Sequence, residues 1–118
     1  MKSFSEMVKE LQEKYKGYLV LVRNGIFYCA IGKDAVIMHQ LLGYKPVCFK
    51  DGVCKCGIPV NAVELAILRL IETGYSCIIF NYKKAEKTYN EVFRLEGREV
   101  FESNNNIGCE VCWYKKEK

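Results

Sequence analysis

Apolar positions along this chain recur with two different periods. Phe4, Met7, Val8 and Leu11 follow the i, i+3, i+4, i+7 spacing of an amphipathic helix, with Ser3 or Ser5 as a cap and Gly17 as a stop. From Tyr18 to Arg23 the chain turns to branched and aromatic residues, Asn24-Gly25 is a short-turn signal, and Ile26 to Ile31 again favours β structure. These segments predict a hairpin, in which strand alternation places Phe27 near the start of the second strand and points Ile26 and Tyr28 to the opposite face.

Asp34 is expected to cap a helix that runs through Leu42 and stops at Gly43. Lys45 to Phe49 and Val53 to Gly57 flank Asp51-Gly52 and suggest a second hairpin. Asn61 then reads as the cap of a helix reaching Thr73, with Val63, Ala66, Ile67, Leu70 and Ile71 as its apolar stripe and Gly74 as its stop. Ser76 to Tyr82 is a buried-strand candidate, and Lys83 to Tyr89 a short basic turn of helix or a loop. Glu91 to Glu102 suggests a further hairpin around Leu95-Glu96-Gly97-Arg98, and Cys109 to Tyr114 a last strand after the Asn104-Asn105-Asn106 loop. Together the elements predict an α/β fold in which a mixed β-sheet is flanked by about three helices.

At 118 residues the expectation is a single domain over 1–118, with no internal repeat and no linker. Half the residues are hydrophobic and 27% are charged, an ordinary balance for a folded soluble protein. No apolar run approaches the roughly 20 residues needed to span a bilayer. The N-terminus mixes both charge signs without a signal-peptide core, so a cytoplasmic location and no membrane partner are expected. A net charge of +4 is compatible with nucleic-acid contact but does not require it.

Seven cysteines form an odd set, which favours reduced thiols over a disulfide framework. Cys54-x-Cys56 and Cys109-x-x-Cys112 have the composition of a zinc site. Strand alternation, however, separates Cys109 from Cys112, so no metal and no cofactor are expected. His39, the single histidine, reads as a packing or surface residue of its helix. No Gly-rich Lys-Ser/Thr phosphate loop and no Cys-His pairing emerges, and the chain is not expected to be an enzyme.

The stretch Leu19 to Ala35, LVLVRNGIFYCAIGKDA, resembles the start of the mismatch-recognition domain of MutS-type DNA repair proteins. There a buried strand, a short turn and Gly lead to Phe-Tyr-Glu and then to an acidic-Ala step into a helix. Cys56-Gly57-Ile58-Pro59, Ala62-Val63, Leu68, Gly74-Tyr75 and the run Cys77 to Phe80 extend the resemblance, which is strongest over residues 5 to 82. Two departures stand out. Cys29 occupies the position of the family's Glu, and Val60-Asn61 replace its Tyr-His.

The resemblance implies a non-catalytic DNA-binding module, without the clamp and ATPase domains, whose partner is mismatched or distorted duplex. Phe27 is then a wedge stacking on a base, a step whose unstacking work of a few kcal/mol is smallest where a mismatch has already weakened the helix. Cys29 would stand beside it without the hydrogen-bonding capacity of a carboxylate. Tyr28 buries its ring and leaves its hydroxyl for a hydrogen bond. Arg23, Lys33 and Lys55, with Lys45 and Lys50, are candidates for phosphate contacts that position a duplex without reading sequence. Three alternatives stay open: Phe27 as an ordinary core residue, the whole chain as a protein-interaction or scaffold module that kept the fold and lost mismatch recognition, and the chain as a small zinc-binding regulator. A protein partner is possible under the DNA-binding and the interaction readings alike.

Overall fold

The computed structural model describes residues 4–48, 54–83 and 85–97. Helix α1 (Phe4–Lys14) leads into strands β1 (Leu19–Asn24) and β2 (Phe27–Ile31), followed by α2 (Lys33–Leu42), β3 (Val47–Cys48) and β4 (Cys54–Pro59). A 3-10 turn at Val60–Ala62 opens into α3 (Val63–Thr73), and strands β5 (Cys77–Lys83) and β6 (Thr88–Leu95) follow. The six strands form one mixed sheet in the order β3-β4-β2-β1-β5-β6. Among the described residues only β1 and β5 run parallel, with Leu19 opposite Cys77 and Arg23 opposite Asn81.

Helices on both sides explain why the β1 run Leu19 to Val22 is apolar without interruption, since a strand covered on both faces needs no polar alternation. Leu19 and Leu21 join Met38 of α2 and Ala66 and Leu70 of α3 in one layer. Val20 and Val22 join Val8 of α1, Ile78 and Phe80 in the other. Each fully buried Leu, Ile or Val in these layers contributes about 1.5–3 kcal/mol relative to an exposed one.

Several local expectations are corrected. The first hairpin turns at Gly25-Ile26, one residue later than Asn24-Gly25, because Asn24 pairs with Phe27 and Gly25 supplies the positive φ of 68°. Asp34 does not cap α2; Gly32 holds that place, and Asp34 is fully buried in the first turn. Its Oδ2 accepts from the Val20 backbone N–H at 3.1 Å and from Gln12 Nε2 at 2.8 Å. The same amide donates to the Ile31 carbonyl at 3.0 Å, so one carboxylate ties α1, β1 and the end of β2 together. Asn61 lies inside the 3-10 turn, and Ala62 precedes α3 without a side-chain cap bond. Ile71, expected in the buried stripe of α3, is 47% exposed.

The first half of the hairpin expected over Glu91 to Glu102 lies in β6, which pairs antiparallel with β5 through a turn at residues 85–87, and the residues after Gly97 lie outside the described residues. β3 and β4 pair antiparallel as the second expected hairpin required, with Cys48 opposite Cys54. The Asp51-Gly52 turn, the Asn104 to Asn106 loop and the expected strand Cys109 to Tyr114 lie outside the described residues.

Gly97 shows how the sheet closes. Its N–H donates to Ser76 Oγ at 2.8 Å, and an added Cβ would lie 2.2 Å from the Gly74 carbonyl oxygen. That contact is with backbone and cannot relax by a rotamer change. Gly97→Ala should therefore destabilise the domain by about 1–3 kcal/mol. Urea unfolding checks this; an unchanged midpoint would show that the end of β6 is not held against residues 74–76.

Candidate nucleic-acid interface

The pairing of β2 with β4 brings three of the expected site residues onto one face. Phe27 opens β2 opposite Pro59, Cys29 lies opposite Gly57, and Ile31 opposite Lys55, so Phe27, Cys29 and Lys55 share the side of the sheet that carries α1. Phe27 is 41% exposed, with its ring set over Gly57, where an added Cβ would sit 3.4 Å from Cδ1. A Gly inside a strand marks a close approach by another group. Here that group is the Phe27 ring, a role for Gly57 that sequence reading missed although the Cys-Gly-Ile-Pro segment carried the signal.

The hairpin end is held in place by backbone. The Val60 N–H donates to the Ile26 carbonyl at 3.0 Å, which ties the turn to the segment following Pro59. Pro59, with φ −55° and ψ 141°, ends β4 and directs the chain into the 3-10 turn. Phe27 therefore stands on β2 and β4 with its turn fastened behind it.

Cys29 is 4% exposed, and burial raises its thiol pKa, partly offset by the nearby Lys55 ammonium. The neutral thiol is a weak hydrogen-bonding group. Burial also pushes Cys56 to about 11 and Cys77 to about 12. Cys54 and Cys56 share the opposite face of β4 from Lys55, both buried, and Cys109 and Cys112 lie outside the described residues. Among the described residues no three His, Cys, Asp or Glu side chains form a group able to hold a metal ion.

Arg23 and Tyr28 are direct cross-strand partners on the other face of the hairpin. The guanidinium stacks 6.0 Å from the centre of the Tyr28 ring, and its Nε donates to the Gly25 carbonyl at 3.2 Å. Both contacts fix the Arg23 stem and hold its charge at the hairpin end. Lys33 is placed differently from the expectation: it begins α2 at the far end of β2 from Phe27 and is 6% exposed, with burial lowering its pKa. That burial removes it from a phosphate-contacting surface. Lys45 is exposed after α2, and Lys50 lies outside the described residues. His39 Nδ1 lies 2.9 Å from the Tyr44 carbonyl, a local packing contact at the end of α2. No helix among the described residues is long and apolar enough to cross a membrane.

Comparison with known proteins identifies the family. Residues 2–104 match the family model described as MutS domain I. The chain is 30% identical over 90 residues to the DNA mismatch repair protein MutS of Thermodesulfovibrio yellowstonii, covering 73% of this chain and 11% of that protein. It is 29% identical over 91 residues to the MutS of Thermotoga maritima, covering 77% of this chain and 11% of that protein. Against the MutS of Bacillus cytotoxicus it is 28% identical over 126 aligned positions, covering 91% and 14% respectively. The chain thus spans about a tenth of the length of the relatives it matches. With the match running from α1 past β6 and the mixed sheet carrying three helices, the chain belongs to the MutS domain I family, a non-catalytic domain.

Proposed function

We propose that this domain binds DNA without catalysis, with Phe27 as a wedge that stacks on a base where a duplex is mismatched or distorted. The observation that carries the reading is the Phe27 ring, 41% exposed at the end of a hairpin and supported from below by Gly57. An apolar ring left open to water at such a tip has the form of an inserting side chain. Cys29 stands next to it on the same face, Lys55 lies on that face at the far end of β2 opposite Ile31, and Arg23 and Tyr28 lie across the hairpin. With a net charge of only +4, binding is weak and dominated by phosphates, so it falls steeply with salt. The grip and signalling of a full repair protein come from other segments or from a partner.

The test is fluorescence anisotropy on matched, mismatched and single-stranded DNA at low and physiological salt, for the wild type and Cys29→Glu. The wild type should prefer the weakened duplex and lose affinity on salt addition. Cys29→Glu restores a carboxylate beside Phe27 and should raise the ratio of mismatched to matched affinity. Absence of duplex binding at low salt would overturn the reading.

A second reading has its own observation. On α3, Leu65, Leu68 and Ile71 are exposed at three-residue intervals, an apolar ridge of the kind that meets another protein. The buried thiol at position 29 fits a domain that kept its fold and turned to protein interaction. Binding to no form of DNA in the anisotropy series favours this alternative.

A further inference from the structure

Strand register places a polar row across the sheet at the hairpin end. Tyr28 lies opposite Arg23, Arg23 opposite Asn81, and Asn81 opposite Asn90, one residue from each of β2, β1, β5 and β6. All four share the face on which α2 and α3 pack, but the core of that face ends one step earlier, at Ala30, Leu21 and Ile79. Lys83, exposed at the end of β5, points to the same side by strand alternation. Adjacent strands are about 4.8 Å apart, so the row from Tyr28 to Asn90 is about 14 Å long.

Between β1 and β5 the row opens into a cleft of about 280 Å³ lined by Arg23, Gly25, Asn81, Tyr82 and Lys83. Its lining carries two cations and no carboxylate. The Asn81 amide oxygen is buried with no hydrogen-bond partner among the described residues.

We infer that this row and cleft seat the sugar-phosphate backbone of one DNA strand, with Asn81 and Lys83 as phosphate-contacting residues in addition to Arg23. The inference rests on the DNA-binding reading above and assigns the strand contact that accompanies the wedge. The chemistry fits a phosphodiester: Arg23 and Lys83 supply charge, and the Asn81 amide supplies a directional donor. Because a B-DNA strand advances about 3.4 Å per phosphate along the helix axis, a row of about 14 Å follows several phosphates. Phe27 stands on the opposite face of the same hairpin, so a groove receiving the tip would bring one strand to the row.

The experiment measures duplex affinity against salt for the wild type, Lys83→Gln, Phe27→Ala and Lys9→Gln, the last an exposed lysine on α1. Lys83→Gln should make the slope of log affinity against log salt shallower by about one and weaken matched and mismatched duplexes by the same factor. Lys9→Gln should leave both slope and affinity unchanged. If the wild type binds and Phe27→Ala removes its preference, but Lys83→Gln keeps the wild-type slope, the strand contact is wrong and the wedge stands. If Lys9→Gln changes the slope as much as Lys83→Gln, the effect is general charge and the row is not a site. If the wild type binds no duplex, the DNA-binding reading and this inference fall together.

Discussion

Replacing Phe27 by alanine is expected to abolish the preference for mismatched over matched duplex while leaving a folded domain. A base stacked on an aromatic side chain is worth about 1–3 kcal/mol by alanine substitution, so affinity for the mismatched duplex should fall by about tenfold or more, with little change on matched DNA. A fully buried Phe costs about 3–5 kcal/mol on truncation. Phe27, 41% exposed, should cost about half as much, 1.5–2.5 kcal/mol. Phe27→Leu separates the two contributions, because it keeps an apolar side chain over Gly57 and removes the stacking face. Anisotropy and thermal melts on both variants decide the matter. A loss of stability in the fully buried range, or a mismatch preference retained in Phe27→Leu, would remove the wedge.

The second large effect concerns pH and Asp34. Burial raises this carboxyl from 3.8 to about 6, against the opposing hydrogen bonds from Gln12 and Val20. Only Oδ2 has these donors, while Oδ1 is buried without a partner among the described residues. A raised acid binds its proton more tightly in the folded chain than in the unfolded one. Its stabilising contribution is therefore complete below about 3.8 and lost as pH rises through about 6. A shift of about two units corresponds to about 3 kcal/mol. Asp34→Asn keeps an acceptor for Val20 and Gln12 and has no proton to lose. Urea unfolding between pH 4 and pH 7 should show the variant gaining up to about 3 kcal/mol relative to the wild type over that window. A difference independent of pH would mean that Asp34 titrates alike in both states.

Much of the architecture was legible because the strongest periodic signals were also the ones that became core. The run Leu19 to Val22, the helical spacing of Phe4 to Leu11 and the stops at Gly43 and Gly74 all appear in the structure as read. The expectations that failed depended on partners distant in sequence. Asp34 has the composition of a cap, yet the donors that claim its carboxylate come from α1 and β1. At the candidate site, the face shared by Phe27, Cys29 and Lys55 depends on β4 lying beside β2, which hairpin patterns alone do not give. The burial of Lys33 depends on where α2 packs, and nothing in its neighbours along the chain shows it.

The single parallel pair has a kinetic consequence. Hairpins such as β1-β2 and β5-β6 close over short loops, whereas β1 meets β5 only after the chain has made β2, α2, β3, β4 and α3. Closing so long a loop costs entropy before any contact rewards it, and pairings of this kind slow folding. The hairpin carrying Phe27 can therefore form early, while the junction of β1 with β5, on which the row through Arg23 and Asn81 depends, is made late. In a chain emerging from the ribosome, the hairpin bearing Phe27 would exist before the surface beside it does.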